Sequence, residues 1–212
     1  MPARDYLCIS QIHLKGMDSF MEIFALVTGI AFLILEIRQS NYMWEVEILT
    51  GLTSMAVFFR EGLYANTALN FYYVAVAVWG YVSWRRDAAS ASAKDDNASA
   101  IHLRKLNLSV VLVSIFLQIA GTAALVWILK YLDDPMTLLD AGTTVLCLIA
   151  TWWLVRTYKE QWFLWIVADM LTAFLCFSQG LYWMSGLYLF YSLSAVYGYI
   201  HWKRSGGYVD VE

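Results

Sequence analysis

Apolar runs separated by short polar or glycine-bearing turns fill most of this chain. A span of hydrocarbon needs about 20 predominantly apolar residues, and seven runs approach that length, roughly 18–37, 43–60, 62–84, 108–130, 137–156, 161–178 and 180–202. This pattern predicts seven transmembrane helices. The second and sixth are short, each followed by a tight turn at Gly62 or Gly180. One stretch breaks the pattern: RRDAASASAKDDNASAIHLRK, residues 85–105, is rich in Ser, Ala, Asn and charge and is expected to be a flexible connector.

The polar punctuation repeats. Shifted by 118 positions, residues 20–86 align without a gap on 138–204. Glu22 falls on Asp140, Arg38 on Arg156, Trp44 on Trp162, Gly62-Leu63-Tyr64 on Gly180-Leu181-Tyr182, and Tyr73 on Tyr191. The ending Gly80-Tyr81, Trp84, Arg85-Arg86 falls on Gly198-Tyr199, Trp202, Lys203-Arg204. The shift spans four helices, an even number, so both copies are expected to run in the same direction through the membrane, with the fourth helix as spacer. The expected fold is therefore an all-α integral membrane protein with a 3+1+3 parallel repeat. Its parts are an outside tail (1–17), a first three-helix repeat (18–84), a cytoplasmic connector (85–107), a linker helix (108–130), a second repeat (131–204) and a cytoplasmic tail (205–212).

Composition agrees with hydrocarbon as the solvent. Apolar residues make up 60% of the 212 and charged residues only 15%, against about 25% charged in a soluble domain. In lipid every backbone donor and acceptor must be satisfied internally, which a helix bundle achieves. The formal net charge of −3 offers nothing to nucleic acid. Lys and Arg divide ten to four between alternate sides, which places the N-terminus outside and the C-terminus in the cytoplasm. The first run follows Lys15 as a signal peptide would. Glu36 and Arg38 close it without a small-residue cleavage site, so it is expected to remain in place. Cys8, Cys147 and Cys176 are scattered and odd in number, arguing against a disulfide framework or a zinc site.

Candidate chemistry lies in the spans, where each ionisable residue costs about 2.5–3.5 kcal/mol on insertion scales. Glu47 and Asp169 are the deepest. Trp162, Trp165 and Asp169 recur at spacings of three and four, which places them on one helix face. Two indoles and a carboxylate make a seat for a flat cation through stacking, cation–π attraction and an ion pair. The alternative is an interfacial tryptophan belt with the aspartate paired to another helix. Tyr188 and Tyr191 form a second stripe on the seventh helix, and Asn70 and Tyr73 are their counterparts on the third, with Asn66 one turn earlier. These positions are expected to line one cavity shared by the two halves. Interhelical hydrogen bonding is the other reading, and it is the one favoured for Gln118. No HExxH or GxSxG, no mid-span histidine and no close pair of intramembrane aspartates occurs, so an enzyme is not expected and no cofactor is implied. A membrane interaction protein without transport activity is the remaining rival.

GLYANTALNFYYVAVAVWGYVSW and KEQWFLWIVADMLTAFLCFSQGLYWMSGLYLFY together resemble characteristic stretches of the PnuC-type vitamin transporters, and the resemblance extends over residues 20–204. It implies a seven-helix fold similar in plan to the SWEET sugar transporters, and homotrimers in a bacterial inner membrane. It also implies facilitated diffusion of a vitamin precursor, trapped afterwards by a cytosolic kinase. Nicotinamide riboside is the expected substrate, with thiamine or riboflavin as alternatives. The family's substrate-facing tryptophan pair matches Trp162 and Trp165, whereas Asp169 stands where nicotinamide riboside members often carry asparagine.

Overall fold

The computed structural model describes residues 30–60, 64–94, 101–131, 138–178 and 180–208. Among them are the helices α1 (residues 30–37), α2 (Tyr42–Arg60), α3 (Tyr64–Lys94), α4 (Leu108–Tyr131), α5 (Leu138–Val155), α6 (Gln161–Ser178) and α7 (Tyr182–Ser205). The short strands β1 (Ile101–Leu103) and β2 (Gly206–Tyr208) complete the described elements. Glu22, Gly62 and the first part of the first expected span lie outside the described residues. Among the described residues, three stretches, Leu108–Ile128, Leu138–Val155 and Gln161–Ser178, are long and apolar enough to cross a membrane by length and composition. The other long helices carry their apolar content as Tyr and Trp, or alternate it with charge, as α2 does at Glu45 and Glu47.

Two expectations about the connector need correction. Residues 85–94 continue α3 without a break, because their alanines and Lys94 are good helix formers. Residues 101–103 form β1, with Ile101 and Leu103 buried, and β1 pairs in parallel with β2 in the register Ile101↔Gly206 to Leu103↔Tyr208. The described part of the connector is thus ordered structure, and the fold is not purely helical.

The chain divides into two compact units. One comprises Thr28–Lys105, Trp152–Lys159 and His201–Glu212; the other comprises Leu106–Thr151 and Glu160–Ile200.

In the first unit, α1 and α5 end in the same way. Gln39 (φ 50°) and Thr157 (φ 54°) adopt the left-handed conformation. In each turn the next residue's N–H bonds back to the carbonyl five residues earlier, Ser40 to Leu35 and Tyr158 to Trp153, both within 3.1 Å. The left-handed residue itself donates to the carbonyl three back, Gln39 to Glu36 and Thr157 to Leu154, each at 2.9 Å. This is the Schellman termination, built twice from non-glycine residues at positions 118 apart. β1 steadies both turns. The Gln39 amide donates to His102 O at 2.9 Å and accepts from His102 N at 2.6 Å, as a neighbouring strand would. Arg104 N donates to Thr157 O at 3.3 Å. The Arg104 guanidinium grips the buried Asp87 carboxylate through two bonds, at 2.6 and 3.1 Å. The two repeats also exchange tryptophan bonds here, Trp84 Nε1 donating to Leu154 O (3.2 Å) and Trp202 Nε1 to Ile37 O (2.9 Å).

In the second unit, α4 and α5 pack where Gly121 leaves room for Val145, and α6 and α7 pack where Gly198 receives the edge of the Trp162 indole. The α4 N-terminus is capped by Asn107, whose Oδ1 accepts from Ser109 N at 3.3 Å.

Candidate substrate site on helices α6 and α7

Trp162, Trp165 and Asp169 share α6, yet the structure gives them different surroundings. Trp162 is only 1% exposed, and a Cβ at Gly198 would stand 2.7 Å from its ring. The same arrangement recurs 118 positions earlier, where a Cβ on Gly80 would stand 2.5 Å from Trp44. A close glycine–indole contact present in both repeats holds helices together. Trp162 is therefore part of the α6–α7 packing.

Trp165 and Asp169 are only half-buried. The Trp165 indole N–H is enclosed and has no hydrogen-bond partner among the described residues. Buried donors are normally satisfied, and this one is not. Asp169 lies close enough to the Tyr191 hydroxyl and the Cys147 thiol to act on both electrostatically. Cys147, on α5, was legible in the sequence only as a small hydrophobe. Tyr188 and Tyr191 are half-buried on α7 and meet edge to face with centroids 6.1 Å apart. The structure thus sets Tyr188 beside Tyr191, with Asp169 within electrostatic range of the latter.

The repeat explains why this position is polar in one copy alone. Asp169 corresponds to Gly51, and Ser192 to Val74. In the first copy a Cβ at Gly51 would meet Val74 at 2.6 Å, so the two helices close on each other there. In the second copy a carboxylate and a hydroxyl occupy the equivalent positions, and the buried Ser192 Oγ donates to Ile166 O at 3.4 Å. Ser192 was missed from sequence, since a lone serine in an apolar run carries no signal without its partner in the other copy. Lys130 is the one basic residue in Leu106–Thr151 and Glu160–Ile200, so these stretches have little to offer an anion.

Other expected site residues fall elsewhere. Gln118 Nε2 donates to Gly142 O at 2.9 Å and to Thr122 Oγ1 at 3.2 Å, tying α4 to α5, so it joins helices as interhelical hydrogen bonding predicted. Asn70 and Tyr73 are half-buried on α3 in the other unit, where Tyr73 meets Tyr72 edge to face at 5.7 Å. Asn66 lies on α3 as well, one turn before Asn70. No group of three His, Cys, Asp or Glu side chains able to hold a metal ion occurs among the described residues.

Comparison with known proteins adds the family. Residues 19–204 match the family described as nicotinamide mononucleotide transporter. The chain is similar to the nicotinamide riboside transporter PnuC of Neisseria mucosa, with 30% identity over 206 residues, 88% of this chain and 73% of that protein. It is also similar to the riboflavin/roseoflavin transporter RibM of Streptomyces davaonensis, with 24% identity over 83% of this chain and 81% of that protein. Among solved structures, the crystal structure of the vitamin B3 transporter PnuC superimposes with a TM-score of 0.63 at 25% identity, covering 90% of this chain and 83% of that one. Apolar helices, a duplicated helical pattern and a match over nearly the whole length lead to one conclusion: the chain belongs to the nicotinamide mononucleotide transporter family, a family of membrane transporters and not of enzymes.

Proposed function

We propose that this transporter carries nicotinamide riboside across the bacterial inner membrane by facilitated diffusion, binding it at Asp169, Trp165, Tyr188 and Tyr191. The observation that carries the reading is the α6 face on which an unpartnered indole N–H and a carboxylate stand one helical turn apart, with Tyr191 within electrostatic range. A flat pyridinium ring stacks on the indole, the carboxylate balances its charge, and the tyrosine hydroxyls bond the ribose. The same charge pattern argues for the nucleoside over its phosphorylated form. A phosphate would face Asp169 with no basic residue nearby in sequence to balance it.

The wider architecture is part of the proposal. Seven spans in a 3+1+3 parallel repeat, SWEET-like in plan, are supported by the matched turns at Gln39 and Thr157 and the matched glycine–tryptophan contacts. An outside N-terminus follows from the distribution of Lys and Arg, homotrimers and trapping by a cytosolic kinase from the family resemblance.

Thiamine, also a cation, is the second reading, and Asp169 favours either cation over an uncharged isoalloxazine such as riboflavin. The test is thermal stability of the purified protein with nicotinamide riboside, nicotinamide mononucleotide, thiamine, riboflavin and a sugar, side by side. The largest stabilisation is expected from nicotinamide riboside, with only a weak response to riboflavin. Stabilisation by the mononucleotide or by riboflavin instead would overturn the assignment.

A further inference from the structure

Arg156 follows the last residue of α5, and its guanidinium stands over two indole rings, Trp79 of α3 at 5.8 Å and Trp152 of α5 at 5.9 Å. It is half-buried and forms no ion pair among the described residues, whereas Arg104 in the same unit is matched to Asp87. Stacking on aromatic faces occupies the plane of a guanidinium and leaves its five edge N–H donors for an acceptor. A planar cation fixed in this way, with no described carboxylate paired to it, is built for an oxyanion.

The surroundings select which oxyanion. On α3 an exposed apolar stripe runs through Phe71, Tyr72, Val78, Trp79 and Val82 and includes the ring beneath Arg156. Indoles are enriched at the membrane–water boundary, and basic residues at that depth attract anionic lipids. From these features we infer that Arg156, Trp79 and Trp152 form a binding site for the phosphodiester of an anionic phospholipid, whose acyl chains lie along the α3 stripe. This rests on the reading of α3 and α5 as membrane spans given above. It does not depend on which substrate is carried.

The repeat supplies a control. The positions of Arg156, Trp152 and Trp79 correspond to Arg38, Ile34 and Tyr197. Arg38 is exposed and stands over no ring among the described residues. One cation has an aromatic seat and its counterpart does not.

The experiment is native mass spectrometry of the full chain in detergent with added phosphatidylglycerol, phosphatidylcholine or inorganic phosphate. Wild type and R38Q are expected to retain phosphatidylglycerol equally, and R156Q to bind it roughly tenfold more weakly, the loss of a charge-assisted bidentate contact. W79L, at an exposed position, tests the seat without removing the charge and is expected to weaken retention in the same direction. Equal retention by R156Q and wild type, or by W79L and wild type, would overturn the site. So would occupancy by inorganic phosphate at the expense of the lipid, which would make it a site for the free ion. Stabilisation by nicotinamide riboside, followed in the same samples, separates failure of this site from failure of the substrate assignment.

Discussion

Trp84 and Trp202 meet edge to face with ring centroids 6.3 Å apart, and each sends its indole N–H to the helix end of the other's repeat. The two rings are equivalent positions of a duplicated sequence, and each is bonded to a carbonyl of the copy to which it does not belong. Replacing either by phenylalanine keeps an aromatic ring and removes the donor. The Trp202 variant is expected to lose about 1–3 kcal/mol, the cost of taking the indole donor from Ile37 O, and the Trp84 variant only about 1 kcal/mol, because Leu154 O keeps the Thr157 N–H. The double variant should depart from additivity, because the rings touch. Thermal unfolding in detergent measures both.

The glycine–indole contacts make a second prediction. G80A and G198A each drive a methyl into a tryptophan ring and are expected to destabilise by roughly 1–3 kcal/mol. Gly186 lies in α7, and a Cβ added there would meet nothing within 4 Å, so G186A should be neutral or slightly stabilising. Melting temperatures of the three variants, compared in one detergent, decide the matter.

Asp169 is expected to determine preference for charge. D169N should reduce affinity for nicotinamide riboside about tenfold or more, while leaving the weak response to uncharged riboflavin unchanged. Titration of the purified variant with each ligand checks this. An equal loss for both ligands would show that the carboxylate positions a helix and does not read charge.

The buried pair Asp87–Arg104 should be costly to break from one side. R104A leaves an unmatched carboxylate in a buried position and is expected to lose about 3 kcal/mol, whereas removing both charges costs less than the sum of the single changes. Denaturant or thermal unfolding of the two single variants and the double variant closes the cycle.

His102, in β1, gives the fold a pH dependence. Burial holds its imidazole pKa below the ordinary value of 6.5, and the nearby Asp87 carboxylate offsets this only in part. The folded state therefore favours the neutral ring. Its contribution to stability is present above the unfolded pKa, near 6.5, and is lost as pH falls through the lower folded value. Melting temperature should fall more steeply between neutral and mildly acidic pH for wild type than for H102Q.

Much of this was visible in the residues. The 118-position alignment joined Trp44 to Trp162 and Gly80 to Gly198, and the structure shows why those residues stay together, since each tryptophan needs its glycine. What stayed hidden was hidden for physical reasons. A left-handed residue is usually glycine, so Gln39 and Thr157 carried no sign of their turns. The alanines and serines after Arg86 read as linker because their Ser and charge pointed to a connector, while the helix-forming alanines that carry α3 on to Lys94 were read with them. Helical spacing placed Trp162 and Trp165 on one stripe but could not say that the first is buried against a glycine while the second is only half-buried.

The parallel pairing of Ile101–Leu103 with Gly206–Tyr208 has a consequence for how the protein is made. β1 leaves the ribosome four helices ahead of the strand it pairs with, so through most of synthesis it presents an open edge to whatever is nearby. The first repeat can enter the bilayer during that interval, but the strand that holds its Gln39 turn stays unpaired until translation has delivered the second. Biogenesis is therefore sequential in insertion and late in locking, and a stall before β2 would leave a membrane-inserted intermediate with its edge exposed to quality-control proteases.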